Sequence, residues 1–147
     1  QAGLSWAIVL KKRGGFRKAF ADFNYKKIAK FKEKDIEKLL QNPEIIRNKL
    51  KISATITNAQ KFLELQKEFG SFDKYIWQFT NNKTIKNNWK TIKELPAKSR
   101  ESDAMSEDLK KRGFKFVGST ICYAFMQGAG LVNDHLVSCF RHAEVQK

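Results

Sequence analysis

The segment Lys110-Lys111-Arg112-Gly113-Phe114-Lys115-Phe116-Val117-Gly118-Ser119-Thr120 carries a basic helix end into a glycine-bracketed turn. An apolar helix, Ile121 to Met126, follows at once. Glycine at 113 and 118 lets the backbone turn tightly and approach another surface. The amides that open the next helix have no partner within it, which suits a phosphate oxygen. Lys110, Lys111, Arg112 and Lys115 add long-range attraction. The pattern is read either as a helix-hairpin-helix gripping a nucleic-acid backbone or as an ordinary helix connection with a glycine cap. A second pair, His135 and Cys139, would lie one turn apart on a helix and could meet one ion, but two ligands make only half a structural zinc site. The alternative is a buried imidazole and a buried thiol without metal. Asp134 stands beside them as a carboxylate that could act as a general base toward water, orient His135 or cap the turn.

The elements that must position these groups read as helical nearly throughout, so the fold class is all-α. Leu4 to Arg13 reads as a short apolar helix ending at Gly14-Gly15, with another turn from Phe16 to Phe20. Ile28, Phe31, Ile36, Leu39 and Leu40 recur at helical spacing. Pro43 is placed to start the next helix, and apolar positions from Glu44 to Phe69 fit one long amphipathic helix capped by Gly70. Ser71 is suited to cap a helix through Phe79. Residues Asn81 to Asn88 read as a polar surface loop, and a helix around Ser102 to Arg112 leads into the hairpin. No segment alternates as a sustained strand would.

Composition narrows the class of protein. With 41% hydrophobic and 12% aromatic residues, a disordered basic tail is excluded. The chain has room for a single domain, 1–147, with a real core. Twenty-nine Lys and Arg against fifteen Asp and Glu leave a net charge of +14, which favours a polyanionic partner. Two cysteines do not make a disulfide framework, and Cys122 sits among apolar residues as a buried thiol. The longest apolar run, Ile121 to Met126, is far short of the ~20 residues that span a bilayer, so no membrane partner is expected. Gln1 stands where an initiator Met would, and the chain is therefore expected to be truncated at its N-terminus.

Three separated blocks carry a family resemblance. Gln1-Ala2-Gly3-Leu4-Ser5-Trp6 with Val9-Leu10-Lys11-Lys12-Arg13 is one. Glu44 to Ile52 followed by Asn58-Ala59 is the second, and Leu109 through Gly118 to Gly130-Leu131-Val132-Asn133-Asp134-His135 is the third. Together they resemble DNA-3-methyladenine glycosylase I, in the family's order and over essentially the whole chain. The resemblance implies a helix-hairpin-helix DNA glycosylase fold and a bacterial, cytoplasmic, monomeric base-excision repair enzyme. Such an enzyme hydrolyses the N-glycosidic bond of 3-methyladenine in double-stranded alkylated DNA, releases the base and leaves an abasic site.

What the resemblance implies for single residues is equally definite. Trp6 belongs in the base pocket, where an electron-rich face suits a cationic purine; on composition alone it would be a core residue of an apolar helix. Gly3, Leu4 and Ser5 approach the gap left by the flipped nucleotide, with Leu4 as a wedge. Lys111, Gly113, Lys115, Gly118 and Ser119 meet the DNA backbone. His135 and Cys139 occupy ligand positions of a structural zinc, whose other two ligands would lie upstream of this chain. The catalytic residue stays unassigned, because the family's glutamate would precede Gln1. Asp134 is left outside the catalytic set. A non-catalytic helix-hairpin-helix module that only binds DNA is the competing reading.

Overall fold

The computed structural model describes residues 5–145. Nine helices among these are α1 (Trp6–Lys11), α2 (Arg13–Ala19), α3 (Tyr25–Ile28), α4 (Glu33–Gln41), α5 (Lys49–Phe69), α6 (Phe72–Trp77), α7 (Arg100–Lys111), α8 (Ser119–Ala129) and α9 (Phe140–Glu144). Two strands of two residues, β1 (Ile85–Lys86) and β2 (Val132–Asn133), pair in parallel. The chain folds as two compact units. One runs to Phe72 and takes in Lys110–Phe116; the other holds Asp73–Leu109 and the chain from Val117 onward.

The first unit is built on α5. Ile52, Ile56 and Ala59 of that helix are buried in one cluster with Phe20, Ile28, Ile36, Leu39 and Ile45. This is the burial that the apolar spacing of α4 and α5 calls for, because an amphipathic helix gains most of its stability from its packed face. Further along α5, Phe62 stacks between Tyr25 and Phe72, with ring centroids 4.7 and 4.6 Å away. The helix stops at Gly70, whose φ of 81° is a conformation that residues with a Cβ avoid.

Three boundaries differ from the sequence expectation. The first helix breaks at Lys12, and α2 then runs through Gly14-Gly15 instead of stopping there. Gly15 is used for close approach, since a Cβ on it would lie 2.4 Å from the Glu44 carbonyl oxygen. Pro43 starts no helix, and α5 begins only at Lys49. The segment between them is held by an Asn42 side chain accepting from the Glu44 amide at 2.9 Å and by Lys12 Nζ donating to the Pro43 carbonyl at 2.7 Å. Asn48 then caps α5 by accepting from the Lys51 amide at 3.0 Å. Between α2 and α3, Ala21, Asp22 and Phe23 form a left-handed turn with φ of 51, 55 and 58°, held by Arg17 on Asp22 at 2.9 Å.

In the second unit, Tyr75, Ile76, Met105, Leu109, Cys122, Tyr123, Met126, Leu131 and Val132 are buried. The Tyr75 hydroxyl donates to Asp108 at 2.7 Å. The stretch expected to be a surface loop contributes β1, which pairs Ile85 with Val132 and Lys86 with Asn133. A two-residue strand is too short to display alternation, so its sequence carries no strand signal.

Candidate functional site

The hairpin begins where α7 ends at Lys111, with Lys110 and Lys111 both exposed. Gly113 takes φ +89°, and its amide donates to the Lys110 carbonyl at 2.9 Å. Phe114 turns inward and is buried. Lys115 is then gripped at its backbone: Asn58 Nδ2 donates to its carbonyl at 2.9 Å, and its amide donates to Asn58 Oδ1 at 2.8 Å. With its backbone anchored, the Lys115 side chain is left exposed. Phe116 follows in a left-handed conformation, φ 57°, and is 47% exposed.

At Val117 the chain enters the second unit. The Val117 carbonyl accepts from the Ser106 hydroxyl at 2.7 Å and from Cys122 Sγ at 3.4 Å. Gly118 caps α8 without a side chain, and the first turn of α8 carries no acidic residue. The start of α8 therefore takes no cap from Gly118 and carries the partial positive charge of a helix N-terminus. Ser119 is hydrogen-bonded through its hydroxyl to Asp103, whose carboxylate is also 3.2 Å from Lys98 Nζ.

Two sequence expectations at the hairpin are revised. Gly118 has φ −63°, which any residue adopts, and a Cβ there would meet nothing within 4 Å. Its value is open space in front of the helix start, and the tight turn is made by Gly113. Arg112 is not a free cation on the surface. It forms a bidentate pair with Glu68 at 2.7 and 3.1 Å and lies over the Phe69 ring at 5.0 Å.

Trp6 heads α1, where the Ser5 hydroxyl accepts from the Ile8 amide at 3.4 Å. Trp6 is 62% exposed among the described residues. Trp6, Val9, Leu10, Arg13, Phe16 and Phe23 line an apolar groove, and the left-handed turn is what brings Phe23 to it. Gly3 and Leu4 lie outside the described residues.

His135 and Cys139 lie in a turn, not on a helix, with Cys139 at the N-cap of α9. The turn nonetheless places Cys139 Sγ 3.8 Å from His135 Nδ1. The two donors face one point, which fits a half-site for a thiolate- and imidazole-binding ion. His142 and Cys122 do not join them: His142 Nε2 is 2.9 Å from the Asn87 carbonyl, and Cys122 is buried against Val117. Among the described residues no group of three or more His, Cys, Asp or Glu is gathered for a metal.

Asp134 neither caps the turn nor orients His135. One oxygen accepts from Asn87 Nδ2 and Trp89 Nε1, both at 2.8 Å; the other accepts from the Tyr123 hydroxyl at 2.6 Å and Gln127 Nε2 at 2.7 Å. Burial pushes its pKa up, but the bonds from Tyr123, Trp89, Asn87 and Gln127 outweigh burial and hold the carboxyl below its ordinary value. For Tyr123, burial comes first and the Asp134 bond and charge second, all raising the phenol. Two carboxylate oxygens offer about four lone-pair sites, and four donors fill them, so nothing remains to take a proton from water. Asn58, Phe116 and the donors around Asp134 were not found from sequence; each acts through a partner far along the chain and leaves no local pattern.

A hairpin between two helices and exposed lysines at the end of the first define a helix-hairpin-helix DNA glycosylase fold when joined to the family's Trp motif. The sequence pattern of the methyladenine glycosylase family matches residues 1–142. The chain belongs to that family, whose members are hydrolases of DNA repair. It is 48% identical over 139 residues to DNA-3-methyladenine glycosylase 1 of Escherichia coli (strain K12), covering 95% of this chain and 74% of that protein. The DNA-3-methyladenine glycosylase of Haemophilus influenzae is also 48% identical over 139 residues, with 95% and 75% covered. A crystal structure of 3-methyladenine DNA glycosylase I superimposes with a TM-score of 0.90 at 47% identity, covering 95% of this chain and 77% of that one. The Staphylococcus aureus enzyme, solved for the basis of its 3-methyladenine recognition, also gives 0.90, at 34% identity and 95% and 74% coverage. No helix among the described residues is long and apolar enough to cross a membrane.

Proposed function

We propose that this 3-methyladenine DNA glycosylase binds alkylated duplex DNA through the hairpin and stacks the extruded base on Trp6. The observation that carries the reading is the exposed Trp6 indole at the capped start of α1, beside an apolar groove. Methylation at N3 puts positive charge on adenine, so the base departs readily once it is out of the stack. An indole face attracts that cation and an uncharged purine much less. The bond from C1′ to the base breaks with its electron pair leaving on the purine. Water adds at C1′ and its proton passes to solvent, which leaves an abasic site and an uncut strand. Ser5 sets the approach of α1, and Gly3 and Leu4 just before it would face the gap in the duplex. Lys111, Gly113, Lys115, Gly118 and Ser119 hold the strand.

His135 and Cys139 would supply two ligands of a structural zinc, which when bound ties chain segments together and takes no part in hydrolysis. Asp134 serves as an anchor only. The protein acts as a monomer in the cytoplasm.

The test is release of free 3-methyladenine from methylated duplex DNA by the protein and by Trp6→Ala. The wild type releases the base. Trp6→Ala is expected to lose at least about tenfold in release while keeping its affinity for undamaged duplex. Equal release by both would remove Trp6 from the pocket, and DNA binding without release by the wild type would favour the non-catalytic module.

A further inference from the structure

We infer that Phe116 and Leu50 form an apolar seat for the sugars of the DNA strand whose phosphates the hairpin lysines attract. The inference rests on the DNA-binding reading above and adds a contact surface to it. Phe116, like Phe23, is an exposed aromatic in left-handed backbone. Its φ of 57° is the region where glycine sits without cost, and a bulky aromatic there is strained. Such strain persists only where the surroundings impose it, and it gathers at functional sites. Here Asn58 imposes it from the preceding residue, through both its bonds to the Lys115 backbone. The strained residue is then not tucked away but left 47% exposed.

The conformation places Phe116 beside Leu50, Ser53, Ala54 and Thr57 of α5, along a shallow groove that also includes Lys115. Leu50, in the first turn of α5, is 73% exposed. Lys51 Nζ lies 6.0 Å from the Phe116 ring centroid, and Lys115, also along the groove, is exposed. An apolar floor flanked by ammonium groups complements one repeating surface in particular: a nucleic-acid strand, whose phosphates alternate with the hydrocarbon faces of its deoxyriboses. Because Phe116 and Leu50 carry no charge, they strengthen binding without displacing counterions. Their contribution is therefore independent of salt, while that of the lysines is not.

That difference is the test. Affinity for an undamaged DNA duplex is measured across a salt series for wild type, Phe116→Asn, Leu50→Ala and Lys115→Ala. Asn tolerates the left-handed backbone, so the hairpin keeps its shape without the ring. Phe116→Asn and Leu50→Ala are each expected to bind about fivefold more weakly at every salt concentration, with the wild-type slope of log K against log salt. Lys115→Ala is expected to flatten the slope by about 0.9. Leu50→Ala keeps the test open should Phe116→Asn fold poorly, since an exposed leucine is dispensable for folding. Wild-type affinity in both apolar variants overturns the proposal, as does a flattened slope in either. Self-association of the wild type, abolished by Phe116→Asn, would assign the groove to a second copy and overturn it too. A wild type that binds no duplex would instead overturn the DNA-binding reading itself.

Discussion

Two polar constellations in this molecule differ in what they leave unsatisfied. Around Asp134, four donors converge on two oxygens, at 2.6 to 2.8 Å, and no acceptor capacity remains. Along the hairpin, the backbone of Lys115 and Val117 and the Ser119 hydroxyl are satisfied, while Lys110, Lys111 and Lys115 face solvent. A carboxylate with its donors complete holds structure together. Ammonium groups held in place but unfilled are ready for a ligand. The presence of chemically capable residues says less about function than whether their partners are already inside the protein.

Asp134→Asn probes the closed constellation and should have the largest effect on stability. An amide presents its own N–H groups to donors that expect an acceptor, so a loss of about 3 kcal/mol is expected in urea unfolding. Folded Asp134→Asn should still bind undamaged DNA as wild type does. Weakened DNA binding at unchanged stability would make Asp134 part of the interface and erase the contrast.

Asn58→Ala acts between the two cases, since it frees the Lys115 backbone without touching a lysine. The loss of two hydrogen bonds is expected to cost about 2 kcal/mol in unfolding and to weaken DNA binding several-fold. Full DNA affinity in this variant would show that the hairpin needs no anchoring from α5.

Arg112 and Lys111 are adjacent cations with opposite assignments, and comparing them gives the smallest but sharpest difference. Arg112→Ala removes the Glu68 pair and the Phe69 contact, at about 1 kcal/mol of stability, and leaves the salt slope of DNA binding as it was. Lys111→Ala should change stability by less than about 0.5 kcal/mol and reduce the slope by about 0.9. The reverse result would exchange their roles.

Much of this architecture is legible because its causes are local. The apolar spacing of Ile36 and Leu39 in α4, and of Ile52, Ile56 and Ala59 in α5, marks buried faces directly. Gly70 ends α5 and Gly113 turns the hairpin, as the need for positive φ requires. The features that were not legible involve distant partners. Nothing near Pro43 announces that Lys12 and Gly15 will hold that segment out of a helix. Ile85 has no strand neighbours in sequence and pairs only because Val132 arrives beside it. Arg112 reads as a DNA-facing cation until Glu68 is placed opposite.

The amino-acid sequence by itself determined the helical class, the hairpin, the family and the positive field, because periodicity, glycine placement and net charge are properties of the chain before it folds. Tertiary structure alone decided which of the capable groups remain available. It exposed Trp6, filled Asp134, tied down Arg112 and held Phe116 outward in a strained turn. Those outcomes depend on burial and on hydrogen bonds between residues tens of positions apart, and only the folded chain brings them together.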